Sequence, residues 1–279
     1  MTRTVADTAV LLAALAGPDP RDPATAGARN RVRDYSRFLR TDGLKGARIG
    51  VARKRYFGYS PSADRAIEAA IDVLRKQGAV IVDPADIPQA GRLDDCEMEI
   101  LLYEFKDGLD AYLSGLGPSV KVRSLADLIQ FNERERDREM PYFGQEILLR
   151  AAKKGPLTSA AYRRALAACR VRSRAGGIDA VMTRLRLDAI VAPTGSPAWM
   201  TDLVNGDHFL GASSTPAAVS GYPSITVPAG FVRGLPVGLS FIGRAWSEGA
   251  LIQYAYAYEQ ASRVRRPPEF RPSAALDAP

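Results

Sequence analysis

Residues 48–82 read RIGVARKRYFGYSPSADRAIEAAIDVLRKQGAVIV, and this stretch decides the fold class. Arg48-Ile-Gly-Val-Ala52 is a short apolar run of strand type. From Ser62 to Gln77, Ile67, Ile71 and Leu74 recur at helical spacing, and Gly78 ends the run. Ala79-Val-Ile-Val82 is a second strand. Strand, helix and strand in that order form a βαβ unit, which favours parallel neighbours joined by a right-handed crossover.

Toward the N-terminus, Thr4 with Asp7 three positions on reads as the start of a helix carrying Val5, Ala9, Leu12 and Leu15, stopped by Gly17-Pro18. Pro18 to Arg40 is polar, and Pro20 and Pro23 argue against regular structure there. Toward the C-terminus, residues 94–187 are mainly helical by pattern. Ser124 with Asp127 caps one helix, Gly144 to Lys154 forms another, and Ser159 to Leu185 a third that is interrupted at Gly176-Gly177. Strands return at Ala189-Ile-Val-Ala192, Ser224-Ile-Thr-Val227 and Val237-Gly-Leu-Ser-Phe-Ile242, the last two joined through Gly230 and an Arg233-Gly234 turn. Ser247 is placed to cap a final helix, and a Pro-rich tail, 267–279, follows. These elements predict an α/β fold in which five short apolar strands share one sheet, covered by helices on both faces, with residues 1–279 forming part of one domain.

Bulk properties narrow the functional classes. The chain has 279 residues, 46% hydrophobic and 25% charged, with no apolar run long enough for the roughly 18 residues of a membrane span, so no membrane partner and a cytoplasmic location are expected. The net charge of +7 is spread over helical stretches that mix acids and bases, as in Glu133-Arg-Glu-Arg-Asp-Arg138, a pattern of solvated helix faces and not of a nucleic-acid surface. Cys96 and Cys169 are far apart in sequence and have no neighbouring cysteine or histidine, so reduced, buried residues are expected and neither a zinc site nor a disulfide framework. His208 is the only histidine, which rules out two-histidine metal motifs; no metal or cofactor is expected.

Several separated segments, in order along the chain, are similar to the amidase-signature family. They are Met1-Thr-Arg-Thr-Val-Ala-Asp7, Gly17-Pro-Asp-Pro-Arg-Asp-Pro23, Leu187-Asp-Ala-Ile-Val-Ala-Pro193, Pro216-Ala-Ala-Val-Ser-Gly-Tyr-Pro-Ser-Ile-Thr-Val-Pro-Ala-Gly230 and Gly234-Leu-Pro-Val-Gly-Leu-Ser-Phe-Ile-Gly243. Within that family, Ser124-Leu-Ala-Asp-Leu-Ile129 and Glu139-Met-Pro-Tyr-Phe-Gly-Gln-Glu146 resemble the bacterial peptide-amidase-like branch. The resemblance implies an amidase-signature fold lacking its N-terminal catalytic segment, because the family keeps its two serines, its lysine and its oxyanion hole upstream of the stretch matching Met1 to Asp7. A lysine serves as base only when burial lowers its pKa, so those groups must lie enclosed together. No catalytic residue of this chain is therefore expected.

What the resemblance leaves is a substrate-facing wall for a small amide or peptide amide: Tyr142, Phe143 and Gln145, which combine aromatic faces with an amide, and Trp199, His208 and Ser213 in the loop after Pro193. The partner it implies is a complementing N-terminal amidase segment. Two other readings stand beside this one: a non-catalytic binding or assembly subunit that pairs with a chain carrying the signature serines, and an independent hydrolase using Ser213 or Ser214 with His208, for which no third group orients the histidine.

Overall fold

The computed structural model describes residues 1–28 and 34–270. Helix α1, Val5–Leu15, starts where the Thr4 hydroxyl accepts from the Asp7 N–H. The segment after it is not irregular throughout: 3-10 turns form at Pro23–Ala28 and Ser36–Phe38. Pro23 opens the first of these, where a missing N–H leaves no bond unmade, so the proline taken as a breaker serves as an initiator. Strand β1 is Arg48–Val51, helix α2 is Pro61–Lys76 and strand β2 is Val80–Val82. The helix begins one residue earlier than the sequence suggests, with Ser60 as its cap and Pro61 at the first helical position.

A helical layer follows. It comprises α3 (Asp94–Ser114), α4 (Leu125–Arg134, capped by the Ser124 hydroxyl), α5 (Arg136–Glu139), α6 (Glu146–Ala152), α7 (Ala160–Ser173) and α8 (Asp179–Arg184). The predicted interruption at Gly176-Gly177 is a π-helical turn over Arg174–Ile178 that links α7 to α8. It aims Arg174 at the short helix α9, Thr215–Ser220, where Nε donates to the Ser220 carbonyl at 2.7 Å and ties off an open helix end.

Strands β3 (Ala189–Pro193), β4 (Ser224–Val232) and β5 (Leu235–Ile242) join β1 and β2 in a single five-stranded sheet of order β2-β1-β3-β5-β4. The β1–β2 and β1–β3 pairs are parallel, and β3–β5 and β4–β5 antiparallel. The expected single sheet is thus formed, as a mixed one. The β4–β5 turn places Arg233 at φ 49° and Gly234 at φ 76°, the left-handed pair of a two-residue hairpin, and Gly230 follows a shift in register. Helix α10, Glu248–Ser262, closes the fold. Ser247 stands at its cap position as expected, its carbonyl accepting from Leu251 at 3.0 Å, but its hydroxyl makes no capping bond and donates to the Arg244 carbonyl at 2.8 Å. Of the Pro-rich tail, residues 271–279 lie outside the described residues.

One face of the sheet packs on α2 and α10, where Ile49, Val51, Ile67, Ile71, Leu74, Leu239, Phe241 and Tyr258 form the main core. The opposite face is covered by α8 and α9 over β1 and β3, with Ile178, Met182, Leu187 and Ile190 inside. That second cluster contains no residue of β4, and Ser224 and Thr226 on this side are exposed, so coverage on both faces stops short of β4.

A further expectation is corrected in the helical layer. Cys96 and Cys169 are joined by a disulfide, with Cα atoms 5.8 Å apart. Sequence separation hid this pair, because α3 and α7 lie side by side only in the folded chain.

Gly50 tests the packing. A Cβ there would lie 2.5 Å from Leu187 Cδ1 and 2.7 Å from Ala85 Cβ, both in the second core. Gly50→Ala is expected to lower the unfolding free energy by about 1–3 kcal/mol, read as a lower denaturant midpoint at unchanged slope. An unshifted midpoint would show that Leu187 yields without cost.

Candidate functional site

The end of β3 organises the strongest candidate site. Beyond Pro193, the Ser196 N–H donates to the Gly211 carbonyl at 3.0 Å and the Ser213 N–H to the Thr194 carbonyl at 3.2 Å, and Gly195 and Ala212 form an antiparallel bridge. These bonds make a closed neck from which residues 197–210 project. Trp199 and Phe209 meet edge to face at 6.2 Å, and the Trp199 indole N–H donates to Asp207 at 3.3 Å. Met200, Leu203 and Val204 are left exposed, Val204 to 91%. His208 lies exposed on the same loop. The fold therefore brings Trp199, His208 and Ser213 onto one loop and its neck, as the sequence suggested from their proximity in the chain.

Ser213 is different in kind from the other two. It is 1% exposed, and its Oγ lacks a hydrogen-bond partner among the described residues, as do Ser196 Oγ and the Tyr59 hydroxyl. Tyr59 packs against the neck: a Cβ at Gly211 would lie 3.1 Å from its ring. Burial pushes the Tyr59 hydroxyl up to about 12, so it remains protonated and a donor. Buried hydroxyls without partners are uncommon in folded chains, and three of the five such side-chain atoms among the described residues lie at this neck, the others being Asp64 Oδ1 and the Tyr258 hydroxyl.

Beside the neck lies a hydroxyl cluster that pattern reading missed. Thr194 hydrogen-bonds Ser240 at 2.9 Å and is also bonded to Thr226, which reaches Ser240 at 3.2 Å. Gly238 makes room for it, since a Cβ there would lie 2.6 Å from Thr194 Oγ1. The signal was present as alternation: Ser224 and Thr226 interleave with Ile225 and Val227, so β4 has one polar side. Read as a continuous apolar run, the strand concealed it.

Tyr142, Phe143 and Gln145 lie in the connection between α5 and α6. Tyr142 and Phe143 are exposed to 63% and 76%. The Gln145 amide is engaged locally, accepting from Asn132 Nδ2 at 3.2 Å and donating to the Ile129 carbonyl at 3.1 Å, which fastens the start of α6 to α4. It also lines a cleft of about 410 Å³ with Ile129, Gln130, Glu133, Arg136 and Leu149. This group rests on the helical layer, whereas the neck rests on β3 and Tyr59. Another depression, of about 640 Å³, opens beyond the carboxyl ends of β1 and β2, with Lys54, Arg55, Gln89 and Arg92 around Tyr56 and Ile87. No group of three or more His, Cys, Asp or Glu side chains suited to a metal occurs among the described residues.

An amidase family model matches residues 1–252. The chain belongs to the amidase family. A probable amidase of Arabidopsis thaliana is 38% identical over 276 residues, which is 96% of this chain and 49% of that protein. The peptide amidase of Stenotrophomonas maltophilia superposes with a TM-score of 0.88 at 46% identity, over 97% of this chain and 54% of that one. A complex of the peptide amidase PAM with the competitive inhibitor chymostatin gives a TM-score of 0.91 at 46% identity, over 97% and 55%. The chain thus spans about half the length of the relatives it matches. Its architecture, a mixed sheet flanked by helices, is the amidase-signature fold in part, and the likeness to peptide amidases agrees with the branch suggested by residues 124–146.

The double use of the Gln145 amide gives a test. Gln145→Ala is expected to cost about 1–2 kcal/mol of stability through the two lost hydrogen bonds, and Gln145→Glu to cost at least as much, since a carboxylate oxygen would replace the amide donor facing the Ile129 carbonyl and would lie beside Glu133. Chemical denaturation of both variants measures this; wild-type stability in Gln145→Ala would remove the fastening role.

Proposed function

We propose that this chain is the C-terminal part of a hydrolase of carboxylic amides, with peptide amides as its substrate class, and that the serines and lysine of the reaction are supplied by a segment outside these 279 residues. The observation that carries the reading is the match of 97% of the chain to 55% of a peptide amidase at a TM-score of 0.91. Two features of the site support it. Every lysine among the described residues is at least partly exposed, and the two less exposed, Lys106 and Lys154, are paired with Asp110 and Glu99. None sits enclosed beside a serine, the setting in which a lysine loses its proton near neutral pH. His208 lies on an exposed loop, with no carboxylate hydrogen-bonded to it among the described residues, which disfavours a triad built on Ser213 or Ser214.

In this reading the neck and hydroxyl cluster at the end of β3 face the reacting groups, and Ser213, Trp199 and His208 contribute a wall that holds substrate. Tyr142, Phe143 and Gln145 would extend that wall from the helical layer, Gln145 chiefly by holding α6 in place. Binding that is equal in ground and transition states does not raise turnover, so a wall alone gives no catalysis. The alternative of an assembly subunit differs only in whether the complementing segment is a separate polypeptide.

The test is ammonia release from C-terminally amidated peptides. The chain alone is expected to give background rates, because an amidase must remove on the order of 8–23 kcal/mol of barrier and that requires an activated nucleophile and an oxyanion hole. Co-expression with the N-terminal half of a peptide amidase is expected to restore turnover, with Ser213→Ala in the restored enzyme reducing it by less than about tenfold. Steady turnover by the chain alone, abolished by Ser213→Ala, would place the nucleophile in this chain and overturn the assignment.

A further inference from the structure

The disulfide sits at a mechanical junction. Helix α3 makes its principal contacts with α4, α6, α7 and the turn Ala90–Arg92, while the sheet packs principally on α2 and α10. The layer carrying α4 and α6 therefore reaches the body of the protein chiefly through α7, which in turn packs on α9 and the π-helical turn. Cys96, in the first turn of α3, and Cys169, near the end of α7, bridge that contact.

The apolar packing at the junction is thin. The cluster around the bridge holds Leu93, Cys96 and Cys169, with Ile100 and Val219 packed against them. The layer beyond has one further small cluster, built on Leu102, Leu125 and Ala151. Leu101, Phe105, Tyr142, Phe143, Ile147 and Leu149 are exposed. Further along the two helices the buried rings of Tyr103 and Tyr162 meet at 5.6 Å, and the other α3 contacts are polar: Tyr162 donates to Glu104 at 2.6 Å, Lys154 pairs with Glu99 at 2.6 Å and Arg55 with Asp94 at 2.8 Å, and such partly exposed pairs contribute little.

We propose that Cys96–Cys169 is a redox-controlled brace: oxidation locks α3, with α4 and α6 carried on it, to α7, and reduction releases that layer from a sheet that stays folded. The reaction is thiol–disulfide exchange with a disulfide donor. The two thiols give up two protons and two electrons as the new S–S bond forms, and the donor's S–S bond breaks to yield two thiols. Cys96 is 7% and Cys169 1% exposed, so exchange in either direction, closing or opening the bridge, proceeds during transient local opening of the junction, and the packed form reacts slowly with small thiols. The brace closes a loop with a sequence separation of 73, long enough for a crosslink to restrict the open state strongly. It also implies maturation in an oxidising compartment, in place of the cytoplasmic location expected from the sequence. The inference is independent of the amidase reading, but it gives that reading a control point, because Tyr142, Phe143 and Gln145 ride on the released layer.

Hydrogen exchange read by mass spectrometry tests this on the oxidised chain, on the chain reduced with a phosphine, and on Cys96→Val/Cys169→Val, which keeps apolar side chains at the junction without a crosslink. Reduction and the double substitution are each expected to speed exchange at least tenfold over residues 94–152 while β1, β3 and β5 keep their protection. If the bridge resists the phosphine, the double variant decides; if the variant is insoluble, reduction in low urea decides. Equal protection of residues 94–152 in the oxidised and crosslink-free forms would overturn the brace. So would two alkylatable thiols in protein refolded with oxidised glutathione.

Discussion

The structure depends on the burial of β3. All five residues Ala189–Pro193 are buried, and among the described residues the strand alone pairs parallel on one side, with β1, and antiparallel on the other, with β5. It thereby joins a βαβ unit from the first third of the chain to a hairpin from the last third. Ile190 and Val191 each contribute about 1.5–3 kcal/mol by leaving water, and they do so into opposite clusters on the two faces of the sheet. The candidate site inherits its position from this strand, since Thr194 and the neck are its continuation.

Stability is distributed unevenly around that centre. The face packed by α2 and α10 holds the large core, and Val5 at the start of α1 is anchored to it from afar, its N–H donating to Glu259 at 3.0 Å. Burial holds the Glu259 carboxyl above its ordinary range, so this group favours the folded state least when ionised: its contribution falls as pH rises from the unfolded pKa through the folded one. The helical layer is attached by a narrow junction and small clusters. Elements of low local stability are those that move most readily when a contact is altered, which is why a single crosslink there carries more consequence than one in the sheet.

The two groups of candidate residues differ for the same reason. Ser213 and its neighbours are fixed by backbone bonds to a buried strand and keep buried hydroxyls without partners among the described residues. Gln145 spends its amide on α4, and Tyr142 and Phe143 stand exposed beside it. Relatives about twice as long share this half of the fold at high similarity, and the polar side of β4, which no helix of the second core covers, lies next to the neck.

The elements and their class were legible in the chain because the signals are local: helical spacing in Ile67, Ile71 and Leu74, caps at Thr4 and Ser124, short apolar strands, and glycines that end or interrupt helices. It also carried the family through segments in order along the chain. Packing and loop geometry decided that Cys96 meets Cys169, that Pro23 begins a turn, and that the Ser247 hydroxyl binds the preceding loop while its carbonyl alone accepts from the helix. The hydroxyl cluster of Thr194, Thr226 and Ser240 belongs to the same class, because its members come from three strands and acquire meaning only once β3, β5 and β4 are in register. Local pattern fixes what a segment becomes, whereas contacts between residues distant in sequence depend on how helices and strands pack, and no periodicity within one segment records that.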